Sequence, residues 1–245
     1  VKYVLESVVP TAAENGVSIA AVLAGDLQDA RSDSCHVLDF PKDLSAKHAY
    51  VLPGAHRSAP FSFARRWNTG RDIDWLASKF PEGRCKFYLS LQLDTPERRR
   101  AGEAFARDLV TECAKRQLSL ETKCQDHLYD SCNVYTWDRP AMEKLIAELV
   151  DRHRDAGIFR SVPRSFQCAV DGVDAQYVGW VQEPRGGHHV GDDEVGLAHS
   201  SRMRRLGTVL DEVIASGNPI DVDAWTQACA AAGVRPEEPW LIAAT

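Results

Sequence analysis

The chain is 245 residues long, 44% hydrophobic and 26% charged, enough to bury a core without disulfide or metal staples. That balance excludes general disorder, and with no apolar run near about 18 residues it excludes a membrane-spanning helix. Thirty-five acidic against 29 basic side chains, a formal charge of −6, excludes a broad nucleic-acid-coating surface but leaves room for a local basic pocket.

In chain order, residues 2–14 have helical spacing and read as an amphipathic element rather than a signal peptide with a basic start and cleavage site. VSIAAVLAG follows as a short strand. Between Asp26 and Pro60, the breakers Pro41, Pro53 and Gly54 punctuate an irregular stretch with HVLDF and AYVLPG as short strands. FSFARRWNTGRDIDW, aromatic and basic, predicts a helical turn or loop. CKFYLSLQL alternates as a half-buried strand does, with Lys86, Tyr88, Ser90 and Gln92 on one face.

Thr95-Pro96-Glu97 opens a helix, Thr as N-cap and Pro pre-set for the first turn. It runs to about Arg116, with Ala101, Phe105, Leu109 and Cys113 inward and Arg98 outward. LSLETKCQ and CNVYTW are the next strands. Pro140 starts a helix reaching His153, whose imidazole complements the helix dipole, with Met142, Leu145, Ile146 and Leu149 inward. SFQCAV and AQYVGWVQE form an antiparallel pair, and PRGGHHVGDDE is a polar, glycine-rich, mobile loop. Ser200 or Ser201 caps a helix to about Ala215, and Asp221 or Asp223 caps the last one. This order predicts an α+β fold: a single domain with a mixed or antiparallel sheet and helices packed on one face. No linker divides it.

Seven scattered cysteines without a CxxC pair fit a reducing cytoplasm, where cysteine serves as a small buried apolar residue. Nucleotide-binding glycine loops, a hydrolase elbow and a zincin helix are absent from the sequence. His188-His189 with Asp192, Asp193 and Glu194 lacks metal-ligand spacing and reads as a solvated loop. Cations embedded in aromatic or strand segments stand out: Arg65, Arg66 and Arg71 around Trp67, Arg84 and Lys86 at a strand start, and Lys123 in another strand. Arg160 and Arg164 bracket Val162-Pro163, and Arg202, Arg204 and Arg205 follow His199. Burying a cation costs several kcal/mol unless an anion or carboxylate answers it. Acids could answer some of these singly; as a set they point to an anion site, most economically a phosphate, which arginine forks match bidentately.

Several stretches resemble the HopA-type effector-like family, whose bacterial biosynthetic members are the phosphoserine/phosphothreonine lyases of class V lanthipeptide and thioamitide pathways. They are SFARRWNTGRDIDW, RCKFYLSLQ with the helix after it, LSLETKCQDHLYDSCNVYTWD, VPRSFQC, and GWVQEP with GLAHSSRMRRL. The resemblance covers about residues 60–215, and Leu197-Ala198-His199 stands where the family often has Ser-Phe-Gly. It implies a lyase domain over 61–245 with residues 1–60 as an N-terminal helix and strand extension.

The implied reaction eliminates phosphate from a phosphorylated Ser or Thr of a precursor peptide, leaving a dehydroamino acid. A base must take the α-proton, cations must hold the phosphate, and an acid can help it leave. Lysine suits the base where burial and neighbouring cations favour its neutral form. Lys86 is the first choice and Lys123 its rival; His56, His199 or Tyr88 would be the acid, and Arg65, Arg71, Arg84, Arg202 and Arg205 the phosphate clamp. The carbonyl is the electron sink, so the chemistry requires no metal or organic cofactor. The implied partners are the phosphorylated precursor peptide and a kinase-like protein that phosphorylates it, in the cytoplasm, without nucleic acid or membrane. The alternative is an effector-like module that binds a partner protein without catalysis.

Overall fold

The computed structural model describes residues 1–24, 50–55, 60–66, 78–80, 83–118, 120–124, 132–160, 168–173, 177–183 and 199–243. The expectations for HVLDF, for residues 67–75 and for the PRGGHHVGDDE loop lie outside them. Contacts divide the chain into two compact units, one of Val1–Leu27, Arg164–Cys168 and Val181–Thr245, the other of Gln28–Pro163 and Ala169–Trp180.

The first unit is helical. A π-helical turn, Val4–Val8, runs into α1, Val9–Asn15, and α2 is Ile19–Ala24. Val4, Val8 and Ala12, four residues apart, and Ile19 and Leu23 enter one core with residues of the two last helices of the chain. From His199–Ala215 this core takes Met203, Leu206 and Leu210, and from Val222–Ala232 it takes Trp225, Ala228, Cys229 and Ala232. VSIAAVLAG is therefore a helix and not the expected strand. Ile19, Ala20 and Leu23 share a helical face. The start of α2 is completed by a residue 190 positions away in round terms: the Asp211 carboxylate accepts from the backbone N–H of Ile19 at 2.9 Å and of Ala20 at 3.1 Å. Gly207 lies against the same turn, where an added Cβ would stand 2.4 Å from the Ala20 Cα. Asp211→Ala should cost about 1–2 kcal/mol by stripping two donors of their acceptor, read as a lower Tm, with Asp211→Asn in between.

The second unit carries the sheet. Its strands are β1 (Tyr50–Ala55), β2 (Pro60–Arg66), β3 (Arg84–Leu89), β4 (Leu120–Cys124), β5 (Cys132–Thr136), β6 (Cys168–Ala169) and β7 (Val178–Glu183), in the spatial order β1-β2-β4-β5-β3-β7-β6. The β1/β2, β2/β4, β4/β5 and β5/β3 pairs are antiparallel, so the class is α+β. The division between the units falls within two of these strands, between Cys168 and Ala169 of β6 and between Trp180 and Val181 of β7, so Cys168 and Val181–Glu183 belong to the helical unit. FSFARR is a strand, β2, where a turn or loop was expected. Phe61, Phe63 and Arg65 alternate with Ser62, Ala64 and Arg66, and pairing on both sides satisfies the backbone.

Helices α3 (Pro96–Arg116) and α4 (Arg139–Arg152) belong to this unit. Thr95 accepts from the Arg98 N–H and Asp138 from the Ala141 N–H, both as N-caps. The buried stripe of α3 is wider than four-residue spacing predicts, adding Gly102, Ala106 and Val110 to Phe105, Leu109 and Cys113, while Ala101 is only half-buried. Met142, Leu145, Ile146 and Leu149 of α4 are fully buried. His153 does more than complement a dipole. Its Nε2 lies 3.0 Å from Asp108 of α3, which also accepts from Arg152 at 3.1 Å, and its ring meets Phe105 edge-on. Burial pushes the Asp108 carboxyl up, but the hydrogen bonds from Arg152 and His153 outweigh it and hold the group below the usual carboxylate range.

The helices at the end of the chain are α5 (His199–Ala215) and α6 (Val222–Ala232), the latter capped by Asp221, which accepts from the Ala224 N–H. Among the described residues Cys85, Cys113, Cys132 and Cys229 form no disulfide and are buried. Burial pushes the Cys229 thiol up to about 12, so it packs as an inert apolar group. Among the described residues no helix is long and apolar enough to cross a membrane.

Candidate functional site

Strand β3 puts every side chain out of solvent. The sequence pattern predicts a half-buried strand; instead one face carries Cys85, Phe87 and Leu89, and the other buries Arg84, Lys86 and Tyr88. Arg84 is 4% exposed and Lys86 6%, so two cations two residues apart have both left water. Aromatic faces receive them. The Lys86 Nζ lies 4.0 Å from the centre of the Tyr88 ring and 5.5 Å from that of Tyr135, and the Arg84 guanidinium carbon lies 4.4 Å from the Tyr135 ring.

Register extends this face across the sheet, because directly opposed residues of an antiparallel pair share a face. Lys86 opposes Tyr135, Tyr135 opposes Glu121, and Glu121 opposes Arg65. In the next row Tyr88 opposes Asn133, Asn133 opposes Lys123, and Lys123 opposes Phe63. Lys86 and Arg65 thus share one row of this face, Tyr88 and Lys123 share the next, and Arg84 lies on the same face one row beyond Lys86. Tyr135 and Asn133 were not singled out by sequence. The signal for them is the alternation in CNVYTW, which sets both on one face, but which strand they would meet is not a local property. At the end of β3, Arg160 donates from Nε to the buried Ser90 hydroxyl at 2.7 Å. Arg139 of α4 lies over the Trp180 ring at 4.6 Å and donates to Glu143 at 3.0 Å.

His199 and Arg202 belong to the helical unit. Helix α5 already contains Ser200 and Ser201, so neither is the cap expected from sequence, and its His199 N–H meets a carboxylate distant in sequence. The His199 N–H points between the two Glu183 carboxylate oxygens, each 3.4 Å away. Arg202 is 3% exposed and donates from Nη2 to the Gln182 carbonyl at 2.5 Å. Gln182 is fastened further, its N–H donating to the Trp240 carbonyl and its side-chain oxygen accepting from the Ile242 N–H. Arg205 and Arg204 are exposed and line an open surface groove with Ser201, Thr208 and Val209. His56, Arg71, His188 and His189 lie outside the described residues. Among the described residues there is no cluster of three or more His, Cys, Asp or Glu that could hold a metal.

No family model matches the chain, and no curated protein matches it. Among solved structures it is similar to two effector proteins of Pseudomonas syringae. The effector of pathovar syringae strain 61 matches with a TM-score of 0.53 at 12% identity, over 97% of this chain and 95% of that one. The effector of pathovar tomato strain DC3000 matches with a TM-score of 0.50 at 12% identity over 82% of this chain, which spans only 65% of that protein's length. This likeness defines the fold: an α+β protein with an effector-like fold.

Proposed function

We propose that the protein is a phosphoserine/phosphothreonine lyase acting on a phosphorylated precursor peptide. What carries the reading is the burial of Arg84 and Lys86 side by side on one sheet face, with Lys123 and Arg65 at register positions of that face. A cation set of that density fits a dianionic phosphate ester better than it fits a structural core. In the reaction Lys86 takes the α-proton, the C–H electron pair becomes the Cα=Cβ bond, and the Cβ–O bond breaks with its electrons leaving on phosphate. No electron is gained or lost overall and no water is consumed. Arg84 holds the departing phosphate, and a proton from Tyr88 or a histidine can accompany it. A kinase-like partner in the cytoplasm supplies the phosphorylated peptide, the product being the dehydroamino acid of lanthipeptide or thioamitide-type peptide biosynthesis.

The test is a mass spectrum of a phosphothreonine peptide after incubation with the protein. Loss of phosphoric acid is the expected result; a loss smaller by one water is hydrolysis and overturns the reading. The names of the structural neighbours favour a second reading, an effector-like module that holds a partner protein without chemistry. It predicts retention of a protein ligand and an unchanged peptide mass.

Arg84→Ala should lower kcat/KM roughly 10- to 150-fold, the worth of a charge-assisted contact of about 1.5–3 kcal/mol. Arg98 is no control for it, since it is half-buried and bonded to Asp94 at 2.8 Å. Arg100, exposed and paired at 3.0 Å with the exposed Glu97 on the helix surface, is the right one, and Arg100→Ala should change kcat/KM less than twofold. Turnover should also survive a chelator, because the elimination needs no Lewis acid; activity lost to EDTA and restored by zinc or magnesium would point to another reaction.

A further inference from the structure

We infer that Tyr135 is a positioning residue: its ring is the shared support that holds Arg84 and Lys86 next to each other on the buried face of the sheet. The inference rests on the proposed site but not on the proposed reaction. Arg84 and Lys86 are same-face neighbours on β3, and like charges so placed repel, all the more when both are out of water. Lys86 has a second ring, Tyr88, beside it on its own strand. Among the described residues Tyr135 is the one ring recorded against both cations, with Arg84 at 4.4 Å and Lys86 at 5.5 Å. Its position is set by register, directly opposite Lys86, and it is 3% exposed. A desolvated cation over an aromatic face gains about 2 kcal/mol, enough to offset much of a repulsion that would otherwise turn one side chain away.

Among the described residues of this unit, charged and titratable groups reach the Lys86 face from three strands. Arg84 and Tyr88 come from β3, Tyr135 from β5, and Glu121 and Lys123 hold register positions on β4. From β7, the other neighbour of β3, the residues of this unit are Val178, Gly179 and Trp180, none of which titrates.

The test compares wild type with Tyr135→Phe and Tyr135→Leu in the full chain. One readout is the titration midpoint of Lys86, followed through its isotope-labelled side-chain resonance; the other is the pH profile of phosphopeptide elimination. Leucine keeps the site apolar but has no ring face, so Tyr135→Leu should move the Lys86 midpoint down by about one unit, while phenylalanine should leave it near wild type. A role in packing alone predicts no such split. If Tyr135→Leu fails to fold, Arg84→Gln reads the same coupling from the other side. Removing the neighbour across the ring should raise the Lys86 midpoint, and an unchanged midpoint means the two cations are not held together, which overturns the inference. The same midpoint in Tyr135→Leu and wild type also overturns it. If wild type eliminates no phosphate, the lyase reading falls, and the Lys86 titration still decides the role of Tyr135.

Discussion

Lys86→Ala should abolish elimination from a phosphothreonine peptide while leaving binding of that peptide within about tenfold, the expected result for a group proposed to act in the transition state and not in the ground state. In the proposed site Arg84 remains to hold the phosphate end of the substrate in that variant. Lys86→Arg should not restore turnover, because a guanidinium stays protonated at neutral pH and cannot accept the α-proton. Lys86 is buried, so Lys86→Met, of similar length and without charge, separates the missing base from the missing volume; both variants should be inactive and folded. The rival base sits one row away on the same face, where Lys123 opposes Asn133. Single-turnover rates and phosphopeptide affinity of the Lys86 and Lys123 variants settle the assignment. Loss of turnover in Lys123→Ala alone moves the base to that lysine, and full activity in both removes the lyase mechanism.

The second large effect is on stability. Gly207→Ala should destabilise the helical unit, against the ordinary trend. In an unconstrained helix the change favours folding by about 1 kcal/mol, since alanine loses less backbone freedom than glycine. At Gly207 the new Cβ meets the Ala20 Cα at 2.4 Å and the Ala20 nitrogen at 2.6 Å, and both are backbone atoms that cannot rotate away. α2 and α5 must therefore separate at their closest crossing, and with them the two bonds that the Asp211 carboxylate receives at the start of α2. Overpacking of this kind costs about 1–3 kcal/mol, and at about 2–4 °C per kcal/mol for a chain of this size the Tm should fall by several degrees. Thr208→Ala, one residue on and exposed, should shift it hardly at all. A Gly207→Ala protein as stable as wild type would mean that α2 and α5 do not cross as closely as described.

The comparison of sequence expectation with fold follows how far away each element's partners are. α3 was legible to its ends because its signals are local: Thr95 caps it by accepting from the Arg98 N–H three residues on, and Pro96 fits the first turn. α6, capped by Asp221, was legible for the same reason. VSIAAVLAG was misread because an apolar run of that length fits either a strand or a buried helix, and what selects helix is Asp211 and the groove at Gly207. FSFARR was misread because Arg65 and Arg66 break the apolar pattern of a strand, and only the strands on either side complete its hydrogen bonds.

By itself the sequence determined the α+β class, the helices α3, α4 and α6 with the Thr95 cap of the first, and the candidate cations, since helix caps, strand alternation and residue chemistry act over a few residues. It also set Lys86 and Tyr88 on one face, because strand side chains alternate with a period of two. Tertiary structure alone decided that β5 lies beside β3 in the register that brings Tyr135 opposite Lys86, and that Lys123 comes one row further along that face. It decided as well that the outer face of β3 is buried, that Arg202 ends on the Gln182 carbonyl, and that the His199 N–H of α5 meets Glu183's carboxylate. Register is a choice among pairings of distant segments, and shifting it by one residue would move Tyr135 to the apolar face; that energy is collected only when the whole sheet forms.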